Sequence, residues 1–169
     1  MWAYNALIDS NNRFNLDDFK YYVKMLFENG KVYVSEEALR LIETNPCNFT
    51  EEDINNLKNG NISDVYLQNK SHNYTFKCDN GSIRKLIWEH VVPTKVLIDK
   101  FLESEHTLDV YKNILERGVV CIVTDEEDKR LSKLGLRSQM PYNENIDIIW
   151  SRYMKAGIKV KSIDYEISN

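Results

Sequence analysis

The chain has 169 residues, 43% of them hydrophobic and 28% charged, with a formal net charge of −4 at pH 7. That length and mixture suit one globular domain with a sizeable core, and six Gly and three Pro are too few for a disordered chain. No run of 18 apolar residues occurs, and the opening "MWAYNALIDSNNR" lacks the basic region and apolar stretch of a secretory signal, so a cytoplasmic protein with no membrane partner is expected.

Charge is unevenly spread. Residues 1–70 hold seven Lys/Arg against eleven Asp/Glu, whereas residues 71–169 hold fifteen of each. An acidic balance opposes general attraction to nucleic acid, because that attraction comes from cations neutralising phosphates, although a local basic stripe can still supply it. The three cysteines, Cys47, Cys78 and Cys121, are far apart and form no C-x-x-C pair, which makes them buried free thiols rather than zinc ligands. Abundant Asn, Lys and Ile match the usage of an AT-rich genome, such as that of a low-GC bacterium or its phage.

In chain order, "NLDDFKYYVKMLFENG" begins with Asn15 as N-cap, sets Leu16, Phe19, Val23 and Leu26 on one face, and stops at Gly30, which predicts a helix. A short strand "KVYV" follows. Ser35 then caps "EEALRLIETN", and Thr50 caps "EEDINNLKNG" with Asp53 reaching back to it. The polar "NGNISDVYLQNKSHN" separates an acidic, mainly helical subdomain (1–70) from a mixed part (71–169).

"YTFKCDNGSIRKLIW" alternates about Asn80-Gly81, a dipeptide that readily takes positive φ, and reads as a β-hairpin. Pro93 opens a helix over "PTKVLIDKFLES", and Thr107 caps "LDVYKNILER". "VVCIVT" is a short β-branched run of the kind that forms a buried central strand, and Thr124 with Glu127 makes a capping box for "DEEDKRLSKLG". The chain closes with a helix "IDIIWSRYMKAG" and a strand "IKVKSIDYEIS", whose alternation shifts phase near Ser162 as a bulge would make it do. The expected class is α+β, a helical N-terminal part packed with a small sheet and further helices.

Chemistry concentrates in "IWEHVVP", residues 87–93. A neutral imidazole can take a proton from water while a neighbouring carboxylate holds a divalent cation, the two roles phosphodiester hydrolysis needs. "EHVVP" resembles the first motif of HNH endonucleases, the ββα-metal family of metal-dependent DNA-cutting enzymes. The resemblance implies Glu89 as a metal ligand, His90 as general base, and "VVCIVT" with "DEEDKRLSKL" as the following strand and helix, with Asp128 as second ligand. The cofactor would be Mg²⁺ or Mn²⁺, and the protein a divergent nuclease of a bacterial or mobile-element defence system. Lys129, Lys133 and Arg137, at four-residue spacing, would then contact nucleic-acid phosphates.

Each of these residues also has a plainer reading. His90 can be a half-buried histidine at a strand end, Glu89 an alternating solvent-facing position, and Asp128 part of a solvated helix face. Lys129 and Lys133 can simply pair with Asp125 and Glu126. On that reading the protein is a non-catalytic interaction protein or phage-encoded inhibitor, whose acidic surface (Glu36, Glu37, Glu51, Glu52) binds a basic protein partner.

Overall fold

A computed structural model describes residues 32–45, 49–59, 73–77, 81–105, 107–141, 148–161 and 163. The helix expected from Asn15, the polar separator, Cys47, Cys78 and the bulge at Ser162 lie outside the described residues. The class is α+β, and helix exceeds strand.

The centre is β4 (Val120–Thr124), in which every residue is buried. β1 (Val32–Val34) pairs with it in parallel, and β3 (Ile83–His90) pairs antiparallel on its other side. β2 (Asn73–Lys77) closes the hairpin with β3, giving the order β1-β4-β3-β2. The two strands pair antiparallel as the hairpin reading expects, and Gly81 takes the positive φ (+79°) that the Asn-Gly signal anticipates.

Alternation along β4 assigns its side chains to two layers. Ile122 joins Val34, Leu86 and the apolar stripes of α1 (Glu36–Thr44) and α2 (Glu51–Asn59). Val120, on the same face, packs with α3 (Thr94–Leu102) and α4 (Leu108–Glu116) through Leu97, Phe101 and Ile114. Cys121 and Val123 point the other way, against Leu131 of α5 (Asp125–Lys133) and Tyr153 of α6 (Ser151–Ala156). Helices therefore cover both faces of β4, which is why its sequence is apolar throughout rather than alternating. Each fully buried Val, Leu or Ile contributes roughly 1.5–3 kcal/mol relative to exposure.

Residues 32–59 share the sheet and a core with Leu86 and Ile122, so the described stretch of the acidic segment packs as one body with the rest. The C-terminal segment also reaches the sheet: Val160 bridges Ser35 antiparallel, beyond the free edge of β1.

The helix ends follow local chemistry. Ser35 Oγ accepts from Ala38 N at 3.0 Å, and Thr50 Oγ1 from Asp53 N at 3.0 Å while the Asp53 carboxylate accepts from Thr50 N at 3.0 Å. Each satisfies a backbone N–H that helix geometry leaves without a partner. α6 ends at Gly157, whose φ of +64° lets Ile158 N reach back to Tyr153 O at 2.9 Å.

Candidate functional site

β1 and β4 run in parallel, and α1 and α5 leave their carboxyl ends toward opposite faces of the sheet. Ser35 and Thr124, the two N-caps, are thereby neighbours, and Glu127 joins them. Its Oε2 accepts from Ser35 Oγ at 2.6 Å, from Thr124 N at 2.8 Å and from Thr124 Oγ1 at 3.2 Å. The capping box expected at Thr124 is present, and its glutamate also holds a second helix start 92 residues away in sequence. Glu127 is 1% exposed, and burial pushes its carboxyl above the ordinary range, with the hydrogen bonds from Ser35 and Thr124 opposing that rise.

At the opposite end of the sheet Glu89 meets Arg152. The guanidinium is fully buried and spends each of its five N–H groups: Nη2 on Glu89 Oε1 (2.5 Å) and Arg137 O (3.4 Å), Nη1 on His90 O (2.7 Å) and Val91 O (3.1 Å), and Nε on Leu136 O (2.7 Å). One side chain of α6 thus ties together the end of β3, the turn into α3 and the loop after α5. Burial pushes the Glu89 carboxyl up, Arg152 opposes the shift, and the nearby charge of Asp128 adds to it.

Glu89 and Asp128 therefore lie within electrostatic reach of one another on the α5–α6 side. His90 does not join them. The strand is regular through its last pair, Glu89 opposite Cys121 and His90 opposite Val120, so the imidazole leaves on the face that carries Val120 and Trp88. Among the described residues no group of three or more His, Cys, Asp or Glu side chains is placed to hold a metal ion. The divalent cation implied by the HNH resemblance does not fit these side chains: the carboxylate is bound to a buried cation of the protein itself, and the base points to the other layer.

The basic residues divide as well. Lys129 pairs with Asp125 at 3.0 Å, the (i, i+4) contact of the plainer reading, while Lys133 and Arg137 are exposed. Near Glu127, Arg84 contacts Asp125 (3.1 Å), Glu126 (3.3 Å) and Glu37 (4.0 Å), and Arg130 reaches Glu37 at 3.2 Å. Burial works against the charge on Asp125, but its bonds to Lys129 and Arg84 outweigh it and hold the carboxyl below the ordinary range.

Cys121 is buried and free, as its isolation in sequence suggested. Burial drives its thiol well up, and the charges of Glu127 and Glu89 add to the effect, so it is not a thiolate nucleophile. Arg152 is the residue that sequence reasoning missed. Its one signal was a cation beside Tyr153 and four residues before Ala156, both buried, on the apolar face of a short helix. No helix among the described residues is long and apolar enough to cross a membrane. No family model, curated protein or solved structure matches the chain.

Proposed function

We propose that the protein is a non-catalytic interaction module that docks a basic protein partner on the acidic surface of α1 and α2. The observation that carries this reading is the exposure of Glu36, Glu51 and Glu52, which have no cationic partner among the described residues. Their neighbours Glu43 and Glu37 are already paired, with Lys58 (2.9 Å) and with Arg130 and Arg84. Exposed carboxylates of one sign steer an oppositely charged partner and set its orientation, an effect that salt screens.

The nuclease reading has less support. It needs Glu89, His90 and Asp128 on one cation, and in this arrangement Glu89 completes the hydrogen bonding of Arg152 while His90 belongs to the other face.

Two measurements on the full chain separate the readings. Binding of a fluorescent lysine-rich peptide, followed by anisotropy, is expected to weaken steeply with added salt and to be lost in E36Q/E51Q/E52Q. Supercoiled plasmid incubated with Mn²⁺ is expected to stay intact. Metal-dependent nicking that disappears in His90→Ala would overturn the proposal, and so would peptide binding that ignores the glutamate substitutions.

A further inference from the structure

The two outer layers differ in the sign of the exposed charge they leave unpaired. On the α1–α2 side, described residues 32–59 include six carboxylates (Glu36, Glu37, Glu43, Glu51, Glu52, Asp53) against Arg40 and Lys58. On the α5–α6 side the first turn of α5 holds Asp125, Glu126, Glu127 and Asp128, of which the first three are paired with Lys129, Arg84 and Arg130, and beyond that turn described residues 129–141 and 148–161 contain no carboxylate. There Lys133, Arg137 and Lys155 are exposed and have no anionic partner among the described residues, and the Arg137 carbonyl is bonded to Arg152, which ties the loop after α5 to α6. The layers lie on opposite sides of β4, since Ile122 packs under α1 and α2, and Cys121 and Val123 under α5 and α6.

We infer that the basic partner of the acidic layer is a second copy of this chain, bound head to tail through its α5–α6 layer. The inference rests on the reading above and names its partner. Charge complementarity selects the geometry. A two-fold contact can pair unlike patches reciprocally only when both lie on one face; with the two sets on opposite sides of the sheet, it would set carboxylates on carboxylates or ammonium groups on guanidinium groups. Only a heterologous contact brings Glu36, Glu51 and Glu52 against Lys133, Arg137 and Lys155. Every added copy presents a fresh acidic layer at one end and a fresh basic layer at the other, so association continues into chains or rings rather than stopping at two.

Sedimentation velocity of the full chain tests this. At low ionic strength the sedimentation coefficient is expected to rise with protein concentration past that of a dimer. In about 1 M salt, where the screening length is about 3 Å, it should return to that of a monomer. E36K/E51K/E52K and K133E/R137E/K155E should each remain monomeric alone and associate when mixed, because each then carries one sign of charge at both sets of positions. Lysine in the first turn of a helix opposes its dipole, so E36Q/E51Q/E52Q serves as a milder variant that should also stay monomeric. A wild-type chain that remains monomeric at low salt overturns the inference. So does a discrete dimer, or a mixture that fails to associate. If the wild type is monomeric yet still binds the lysine-rich peptide through its glutamates, the interaction reading stands and only the self-partner fails. If the monomer instead binds a duplex oligonucleotide and K133E/R137E/K155E abolishes that binding, the basic layer belongs to nucleic acid and the inference is wrong.

Discussion

Glu127 and Glu89 are two carboxylates removed from water at opposite ends of the same central strand, and they are held by different means. Glu127 is surrounded by neutral donors: a serine hydroxyl, a threonine hydroxyl and a backbone N–H, with Arg130 at 3.6 Å from its other oxygen. Glu89 is held by a buried guanidinium that is itself shared with four backbone carbonyls. The first arrangement stabilises a charge by oriented dipoles that keep their value if the charge is lost. The second balances charge against charge, so removing either partner leaves the other stranded in a poorly solvated place. The two ends of the sheet should accordingly respond differently to substitution.

The largest effect should come from Arg152→Met, which preserves bulk but leaves the Glu89 carboxylate without its cation and four carbonyls without a donor. A loss of about 3–5 kcal/mol is expected, read as a fall in the urea midpoint. Glu89→Gln retains an acceptor for Nη2 and removes only the charge from that bond, so a smaller loss of about 1.5–3 kcal/mol is expected. If Glu89→Gln proves the costlier of the two, the guanidinium is not the keystone of that end, and the contrast between an ion pair and a dipole cradle collapses.

At the other end Ser35→Ala removes the 3.0 Å cap on α1 and the 2.6 Å donor to Glu127, whereas Thr124→Ala removes a longer cap (3.3 Å) and a longer donor (3.2 Å) and keeps the backbone N–H of residue 124 on Glu127. Loss of a cap costs about 1 kcal/mol, and a bond to a charged acceptor adds about as much again. Thermal unfolding should therefore place Ser35→Ala below Thr124→Ala. The reverse order would mean that Glu127 does not couple the two helix starts.

How far these sites could be read in sequence follows the distance over which each is assembled. Thr124 and Glu127 are three residues apart, on one turn, and a capping box needs nothing else, so that half of the Glu127 site was legible. Its other half, Ser35, becomes a neighbour only because β1 lies parallel to β4, a pairing that alternation along "KVYV" and "VVCIVT" cannot specify. Glu89 was noticed for its neighbour His90, yet adjacency along a strand sends the two side chains to opposite faces, and its actual partner lies 63 residues away. β4, the caps of α1 and α5 and the turn glycine Gly81 were visible because propensity and hydrogen bonding act over a few residues. The placement of α6 and its arginine depends on how a third layer settles on the sheet, which no local pattern encodes.

The smallest expected effect is a difference in slope with pH. Burial raises the carboxyls of both Glu89 and Glu127 above their ordinary 4.5, so the folded chain holds those protons more tightly than the unfolded one. Their contribution is fully present below the ordinary value and is lost as pH climbs through the raised ones, which makes stability fall with rising pH in that window. Asp125 acts in the opposite sense. Its carboxyl is held below the ordinary 3.8, so its contribution persists above that value and is lost only as pH drops through the lowered one. Urea midpoints taken from about pH 3 to about pH 7 should therefore show a rising acid limb and a shallow descent beyond it. Glu127→Gln should flatten part of the descent and leave the acid limb unchanged, and Asp125→Asn should do the reverse. A descent that survives both Glu127→Gln and Glu89→Gln would mean that neither carboxylate is penalised by its burial. In that case the ionised groups at the two ends are solvated by the protein as well as by water, and the difference between dipoles and an ion pair has no thermodynamic consequence near neutrality.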